Sequence, residues 1–308
     1  MKKRIICFSK AFRPCIVLSA LLIAGGVASL FVRGINFGLD FKPGLIVEVH
    51  VSAQSDADSL RGALGMLGGA AVKNIGAEDD GYFQIRLPDD GAQSSQDVVN
   101  AVTAALDAAY GAGNVSVEKT DFIGEGFSGS LIRSSVILVI ATLALIWLYA
   151  TIRFHWDFAL GAVLAVIHDA LIMIAFVSWT QMEFSTTTLA AVLTIVGYSI
   201  NDTVVVLDRV RENMRMVNTG KFSELLDISL SETLSRSLIT TFTTLLAVLS
   251  LFVFTTGSMK DFALALIVGM ISGVYSTIYI SSAFIAAVRR GWKPSDEARA
   301  VPKATPAV

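Results

Sequence analysis

Residues 197–213 read GYSINDTVVVLDRVREN, an apolar stretch that holds one acid before it becomes charged. The apolar part extends back to residue 187, and 187–207 supplies the roughly 20 residues that cross a bilayer as a helix. Asp202 therefore lies in or near the hydrocarbon, where a carboxylate costs on the order of 2.5–3.5 kcal/mol on insertion scales. An acid at such a position usually faces protein or water, which makes Asp202 the first candidate for a functional residue.

Helical spacing places the polar residues of this segment on one side. Polar side chains recur at helical intervals at Thr187, Thr194, Tyr198, Asn201 and Asp202. One face of the helix is thus predicted to meet protein or water. The alternative is a buried Asp202 that only hydrogen-bonds to a neighbouring helix.

The composition is that of a membrane protein. The 308 residues are 54% hydrophobic and 16% charged, with a mean hydropathy of +0.64, outside the range of soluble domains. We therefore expect a polytopic α-helical membrane protein. The net charge of -2 and the lack of a long basic block give no indication of nucleic-acid binding. Cys7 and Cys15 lack the spacing of a metal site.

Six apolar segments are long enough to be membrane helices. The first, 14–33, follows a basic segment and resembles a signal peptide, but it exceeds the 7–15 residues of a typical h-region, so an uncleaved span is predicted. The other five form a predicted bundle over residues 130–290, with spans at 131–150, 158–180, 187–207, 238–256 and 262–288.

Residues 34–129 form a predicted soluble domain between the first two spans. Alternating apolar residues predict strands, and apolar residues at helical spacing predict helices. In chain order these are strand 45–51, helix 56–67, strands 70–77 and 82–87, helix 97–110 and strand 115–121. The order βαββαβ predicts an α+β ferredoxin-like fold.

Basic residues occur in alternate connections between the spans. Arg153, Arg209 and Arg289 lie in or after such connections, whereas the intervening ones contain Lys260 and no arginine. The positive-inside rule therefore predicts that both termini are cytoplasmic and that the domain is periplasmic. The predicted cytoplasmic parts are 1–13, a loop at 208–236 with a short interfacial helix, and a disordered tail at 291–308.

The third and fifth spans contain further candidates. His168 and Asp169 lie about twelve residues, roughly 18 Å, inside the third span. Mid-membrane His-Asp pairs are typical of proton paths, although His168 could simply pack against a neighbouring helix. Arg236 opens the fifth span, and Thr240 and Thr244 follow on its polar side.

Asp202 and Arg236 together suggest a mechanism. A low dielectric favours the neutral acid, whereas an adjacent guanidinium favours the carboxylate. A pair whose geometry changes would therefore take up and release a proton. The simpler alternative is an Arg236 that reaches for lipid headgroups. In the sixth span, Gly269 and Gly273 have GxxxG spacing, which predicts close helix packing.

Several of these motifs resemble the SecD/SecF family of bacterial protein-export membrane proteins, and in particular its SecF branch. The resemblance is carried by residues 197–213, by GLDF at 38–41, by IHD at 167–169 and by TLSRSLITT at 233–241. It extends over nearly the whole chain, including the order of one span, an exported domain and five spans.

The resemblance implies a transport subunit and not an enzyme. Such a chain supplies six spans, half of a body similar to proton-driven RND exporters, and a SecD subunit supplies the other half. The pair works beside the SecYEG channel in the bacterial inner membrane, with YajC and SecA as further partners, and uses the proton-motive force to assist preprotein export. The resemblance also implies that Asp202 and Arg236 take part in proton movement, with no cofactor besides the proton gradient.

Three other functions fit parts of the pattern. An RND-like exporter half for a lipid or small molecule would normally have a larger exported part than about 90 residues, one small domain. An intramembrane aspartyl protease would pair Asp169 with Asp202, although no Gly-x-Gly-Asp motif is present. A structural stabiliser would use the acids for packing alone.

Overall fold

The computed structural model describes residues 5–53, 55–75, 80–88 and 94–294. Its elements in chain order are α1 (Phe12–Arg33), β1 (Gly44–Val51), α2 (Ala57–Ala63), β2 (Ala71–Asn74), β3 (Tyr82–Pro88), α3 (Ser95–Tyr110), β4 (Val115–Ile123), α4 (Glu125–Arg153), α5 (Trp156–Thr180), α6 (Thr186–Met216), α7 (Phe222–Phe254), α8 (Gly257–Tyr275), a π-helical segment (Ser276–Ser281) and α9 (Ser282–Val288).

Six helices in the described part of the chain are long and apolar enough to span a membrane. They are α1, α4, α5, α6, α7 and the continuous rod formed by α8, the π-helical segment and α9. The prediction of six membrane helices is therefore confirmed. In the most apolar 18 residues of each span, at least half of the residues are buried in the third and sixth spans, against 6–11% in α1, α4 and α7.

The domain between α1 and α4 has the ferredoxin-like arrangement that the sequence predicts. Its sheet has the order β2-β3-β1-β4, and each neighbouring pair is antiparallel. Alternate residues of β1, such as Leu45, Val47 and Val49, are buried in one core with Leu60 of α2 and Leu106 of α3. The alternation of apolar residues thus directs one face of the sheet toward both helices.

Local chemistry decides where the domain's helices begin and end. The side chain of Asp56 accepts a hydrogen bond from the amide of Ser59, and Ser94 caps α3 in the same way. The predicted helix 56–67 stops at Ala63 and continues as a short 3-10 turn. The predicted strand 70–77 covers only Ala71–Asn74, and residues 76–79 lie outside the described part.

Glycines allow the spans to approach closely. A side chain at Gly26 of α1 would overlap Ala175 of α5, and one at Gly269 of α8 would overlap Ile195 of α6. Gly273 also faces α6, where an added Cβ would lie 3.3 Å from the Cβ of Ser199. The close packing predicted from the GxxxG spacing is therefore confirmed, and α6 is its partner.

The helices continue through most of the segment that the sequence predicts as a loop at 208–236. Only residues 217–221 connect α6 to α7, and no separate interfacial helix forms there. The helices persist because their ends pack together, with Val210, Phe222 and Leu226 in one buried cluster. Most of the predicted tail at 291–308, and the basic residues 2–4, lie outside the described residues.

Several contacts join the folded domain to the bundle. Asp40, just before β1, accepts hydrogen bonds from the backbone amide (2.9 Å) and the hydroxyl (2.5 Å) of Thr186 at the start of α6. Lys73 of β2 lies 3.0 Å from Glu183, in the connection between α5 and α6, and 3.5 Å from Asp261, near the start of α8. The domain is thus held against the end of the bundle at which α6 and α8 begin.

Candidate intramembrane polar site

Asp169 is the centre of a polar cluster between three spans. Its side chain is fully buried in α5. One carboxylate oxygen accepts hydrogen bonds from Ser199 (2.6 Å) of α6 and Ser276 (2.7 Å) of the sixth span, and the other accepts one from Ser272 (2.6 Å). The carboxylate therefore fastens α5 to both neighbouring spans, with short charge-assisted bonds.

His168 connects this cluster to the first span. Its Nδ1 lies 3.3 Å from Asp169 Oδ1, and its Nε2 lies 3.1 Å from the hydroxyl of Ser19 in α1. Ser19 lies 3.0 Å from the hydroxyl of Tyr275, which donates to the carbonyl of Cys15 at 2.6 Å. The sequence predicts the His-Asp pair, and the structure places it among hydroxyl groups from three other spans.

The hydrogen bonds from His168 through Ser19 and Tyr275 to Cys15 have only one consistent set of donors. Tyr275 has one hydroxyl hydrogen and donates it to Cys15, so Ser19 donates to Tyr275. His168 Nε2 must then carry the hydrogen that Ser19 accepts. Asp169 Oδ1 already accepts a hydrogen bond from Ser272, so it is His168 Nδ1 whose hydrogen bond to Oδ1 requires a proton between the two atoms.

Asp202 has a different environment in α6. Its Oδ1 accepts a hydrogen bond of 2.5 Å from Ser237 of α7, and its Oδ2 is buried without a hydrogen-bond partner among the described residues. A buried polar atom without a partner costs about 1–3 kcal/mol, so the large majority of buried polar atoms in proteins have one. Asp202 is thus the incompletely satisfied acid of the two.

Arg236 lies beside this contact but is exposed at the surface of the bundle. Among the described residues it forms no ion pair within 4.0 Å, and its neighbour Ser237 makes the direct bond to Asp202. Asn201 and Thr240 are also exposed, whereas Thr244 is partly buried; the hydroxyls of both threonines donate to backbone carbonyls of their own helix. The polar stripe of α7 therefore points away from the other described spans.

Two more bonds tie α6 to its neighbours. Tyr198 donates to Thr241 of α7 at 3.1 Å, and Thr203 lies 2.8 Å from Thr277 in the π-helical segment. π-helical turns inside α-helices occur frequently at functional sites. Sequence reasoning misses three serines: Ser19, which bonds to His168, and Ser199 and Ser237, which bond to the two acids. A serine in an apolar helix is the available signal, but it does not reveal which acid it contacts.

The two acids do not form a catalytic pair. Asp169 and Asp202 share no hydrogen-bond partner among the described residues, and they bond to different helices. The described residues also contain no group of three His, Cys, Asp or Glu side chains able to hold a metal ion. The geometry therefore gives no support to joint activation of a water molecule by the two carboxylates.

Comparison with known proteins identifies the family. The model "Protein export membrane protein SecD/SecF, C-terminal" matches residues 102–291, which is more than half of the chain, and the SecD/SecF GG motif matches residues 28–54. The chain belongs to the SecD/SecF family. Asp169 and Asp202 lie within the first of these matches. Asp40, which bonds to the start of α6, lies within the second.

Relatives of this SecD/SecF-family chain are named protein translocase subunit SecF. The protein from Vibrio alginolyticus is 35% identical over 283 residues, covering 91% of this chain and 89% of its own length. That from Treponema pallidum is 44% identical over 257 residues, covering 76% of this chain and 61% of its own. In that second comparison the match spans less than two thirds of the relative.

A solved structure has the same fold. The crystal structure of SecDF, a translocon-associated membrane protein from Thermus thermophilus, matches with a TM-score of 0.80 and 33% identity over 92% of this chain. A structure of SecDF in a super-membrane-facing form matches with a TM-score of 0.68. This SecD/SecF-family chain spans 38% of the length of the first SecDF chain.

Proposed function

We propose that this chain is a SecF-type subunit of a protein translocase, and that with a SecD partner it uses the proton-motive force to assist preprotein movement through the SecYEG channel. The names of the relatives support the translocase role. The observation that carries the proton coupling is the environment of Asp202, whose Oδ2 is buried without a hydrogen-bond partner among the described residues.

Asp202 would bind and release the transported proton. Protonation removes the charge of a half-buried carboxylate and gives Oδ2 a hydrogen to donate, while Oδ1 keeps its bond from Ser237. Arg236 is the next residue to Ser237, so a movement of its long side chain, or a rotation of α7, would bring a guanidinium beside the acid in place of a neutral hydroxyl. That exchange would favour release of the proton.

A second membrane subunit would cover the open side of this site. Arg236, Asn201 and Thr240 are exposed on α6 and α7, within segments that are otherwise apolar. Charged side chains inside a membrane normally face protein or water. We therefore place the SecD subunit against this surface, with SecYEG, YajC and SecA as further partners of the assembled complex.

The His168-Asp169 pair would act as a second proton-holding unit and as a positioning device. Its three serine bonds fix α6 relative to the sixth span, and α6 carries Asp202. The hydrogen count along Ser19 and Tyr275 leaves one proton between His168 and Asp169. A change in that proton would alter the packing that orients Asp202.

The proposed location is the bacterial inner membrane with both termini cytoplasmic. Cations crowd the end of the bundle opposite the folded domain, where Arg153, Arg215 and Arg289 lie at or near helix ends. The positive-inside rule supports a cytoplasmic location for this end, and the ferredoxin-like domain would then lie in the periplasm.

Preprotein export in membrane vesicles tests the proposal. Wild type and Asp202→Asn are compared with and without a proton gradient, at matched expression and with partner assembly confirmed. We expect Asp202→Asn to lose the gradient-dependent part of export and to retain the remainder. Asp208→Asn, two turns further along α6 in an exposed ion pair with Arg153, is the matched control and should behave as wild type. Unchanged gradient-dependent export in Asp202→Asn would refute the coupling role.

A further inference from the structure

A cavity of about 510 Å³ opens at the end of the bundle opposite the folded domain. It lies between the turn that joins α4 to α5, the last turns of α6 and the segment after α9. Its size is within the range of sites that bind small molecules or lipid headgroups. None of the residues of the proposed proton site lines it.

The cavity is strongly basic. Its lining contains five cationic side chains and no carboxylate, namely Arg153, Arg211, Arg215, Arg289 and Lys293. Asp208 neutralises Arg153 at 2.6 Å, and Asp157 pairs with Arg289. Two of the five charges are thus balanced. Within the described part of the chain, Arg211, Arg215 and Lys293 have no carboxylate within 4.0 Å.

Aromatic contacts fix part of the cavity lining. The guanidinium of Arg289 lies 4.7 Å from the ring centre of Phe158, and the ring of Trp292 packs against Phe222 at 5.6 Å. Ile152 lies at the rim and is 79% exposed, so apolar surface adjoins the charged cavity. Anchored cations beside exposed apolar surface, at the ends of membrane helices, match both parts of a phospholipid.

We propose that this cavity binds the headgroup of an anionic phospholipid, with Arg211 and Arg215 as the phosphate-contacting residues and Ile152 against an acyl chain. Arg211 and Arg215 are four residues apart on α6 and both are exposed, so they are adjacent on one helix face. Arginine suits this role because its planar guanidinium can donate two parallel hydrogen bonds to a phosphate. Basic pockets between membrane helices are a general means of recognising anionic headgroups.

Calorimetric titration of the purified full chain in a neutral detergent tests the site. The probes are dioctanoyl phosphatidylglycerol, dioctanoyl phosphatidylcholine and glycerol phosphate. We expect saturable binding of one phosphatidylglycerol, with at least tenfold weaker binding of the zwitterionic lipid. Glycerol phosphate should bind more weakly because it lacks acyl chains. If it bound as tightly as phosphatidylglycerol, the lipid assignment would be wrong and the cavity would be a phosphate site.

Two double variants with the same loss of charge make the test specific. Arg211→Gln/Arg215→Gln should weaken phosphatidylglycerol binding by about 10- to 30-fold. The control, Arg13→Gln/Arg290→Gln, removes two exposed cations from the same end of the bundle that do not line the cavity, and it should bind as wild type. Equal weakening in both variants would overturn the proposal, because it would show general attraction to anionic lipid. Thermal unfolding of each variant confirms that it remains folded.

Discussion

At the scale of single residues, the two aspartates of the membrane helices have different environments. Asp169 accepts three serine hydrogen bonds and leaves no oxygen without a partner, whereas Asp202 accepts one and has a buried oxygen without any among the described residues. A fully bonded buried acid fixes structure, whereas a partly bonded one lowers stability because it leaves a buried oxygen without a partner. Stability measurements should therefore separate the two acids.

Asp169→Asn should destabilise the bundle by about 1–3 kcal/mol, because the amide nitrogen cannot accept the hydrogen bonds that serines donate to the carboxylate. The midpoint of thermal or denaturant unfolding in detergent measures the change. Asp208→Asn should shift stability by less than about 1 kcal/mol, since its ion pair with Arg153 is exposed. An Asp169→Asn protein as stable as wild type would show that the serine bonds do not hold the spans together.

Asp202→Asn should leave stability unchanged or raise it. The substitution keeps an oxygen that can accept from Ser237, removes a half-buried charge and replaces an unpartnered oxygen with an amide donor. The same unfolding measurement applies. A loss as large as that of Asp169→Asn would indicate that the ionised Asp202 has a strong partner and would contradict the environment described above.

At the scale of secondary-structure elements, glycines determine how closely the spans pack. Gly26 and Gly25 are neighbours on α1 but meet different surroundings. A Cβ at Gly26 would overlap Ala175 and approach its Cα to 2.8 Å, whereas a Cβ at Gly25 would meet Trp179 at an ordinary 3.5 Å. The two positions thus form a matched pair in one helix.

Gly26→Ala should destabilise the protein by about 1–3 kcal/mol, because α1 would have to move away from α5. Gly25→Ala should be neutral or stabilising by up to about 1 kcal/mol, since alanine favours the helix more than glycine does. Unfolding midpoints of both variants check the prediction. Equal midpoints for the two variants would show that α1 and α5 are not packed as described.

At the scale of the whole molecule, the folded domain is held by a few polar contacts. Lys73 reaches Glu183 and Asp261, while Asp40 binds the start of α6. Glu183 lies in the connection that leads into α6, and Asp261 lies near the start of α8, so movement of the domain would act on the beginnings of these two helices. A partly exposed ion pair is weak enough to open during such movement.

Lys73→Met should loosen this attachment without unfolding the domain. The amides of Gly38 and Thr186, which bond to Phe184 and Asp40, should exchange with deuterium up to about fivefold faster, the effect of roughly 1 kcal/mol. Lys119→Met, which removes an exposed ion pair within the sheet, is the control and should leave those amides unchanged. Identical exchange in both variants would argue that Lys73 does not hold the domain.

The sequence by itself determined the six spans, the ferredoxin-like domain and the candidate acids. Length and apolarity decide the spans, because the bilayer sets how long a helix must be. Apolar residues at every second position of β1, from Leu45 to Val51, decide the sheet, since every second residue faces the same side. Asp202, Asp169 and His168 were identifiable because a polar residue in an apolar helix is costly wherever it lies.

Only the tertiary structure decided which residues those acids meet. Ser237 rather than Arg236 bonds to Asp202, and Ser199 of α6 bonds to Asp169 of α5. The sequence pattern does not predict these partners, because the rotation and spacing of the helices are set by packing at positions such as Gly269. The loop predicted at 208–236 is helical for the same reason. The last turns of α6 and the first turns of α7 are rich in charge, and their composition alone predicts an exposed loop. Packing between neighbouring helices stabilises them as helix.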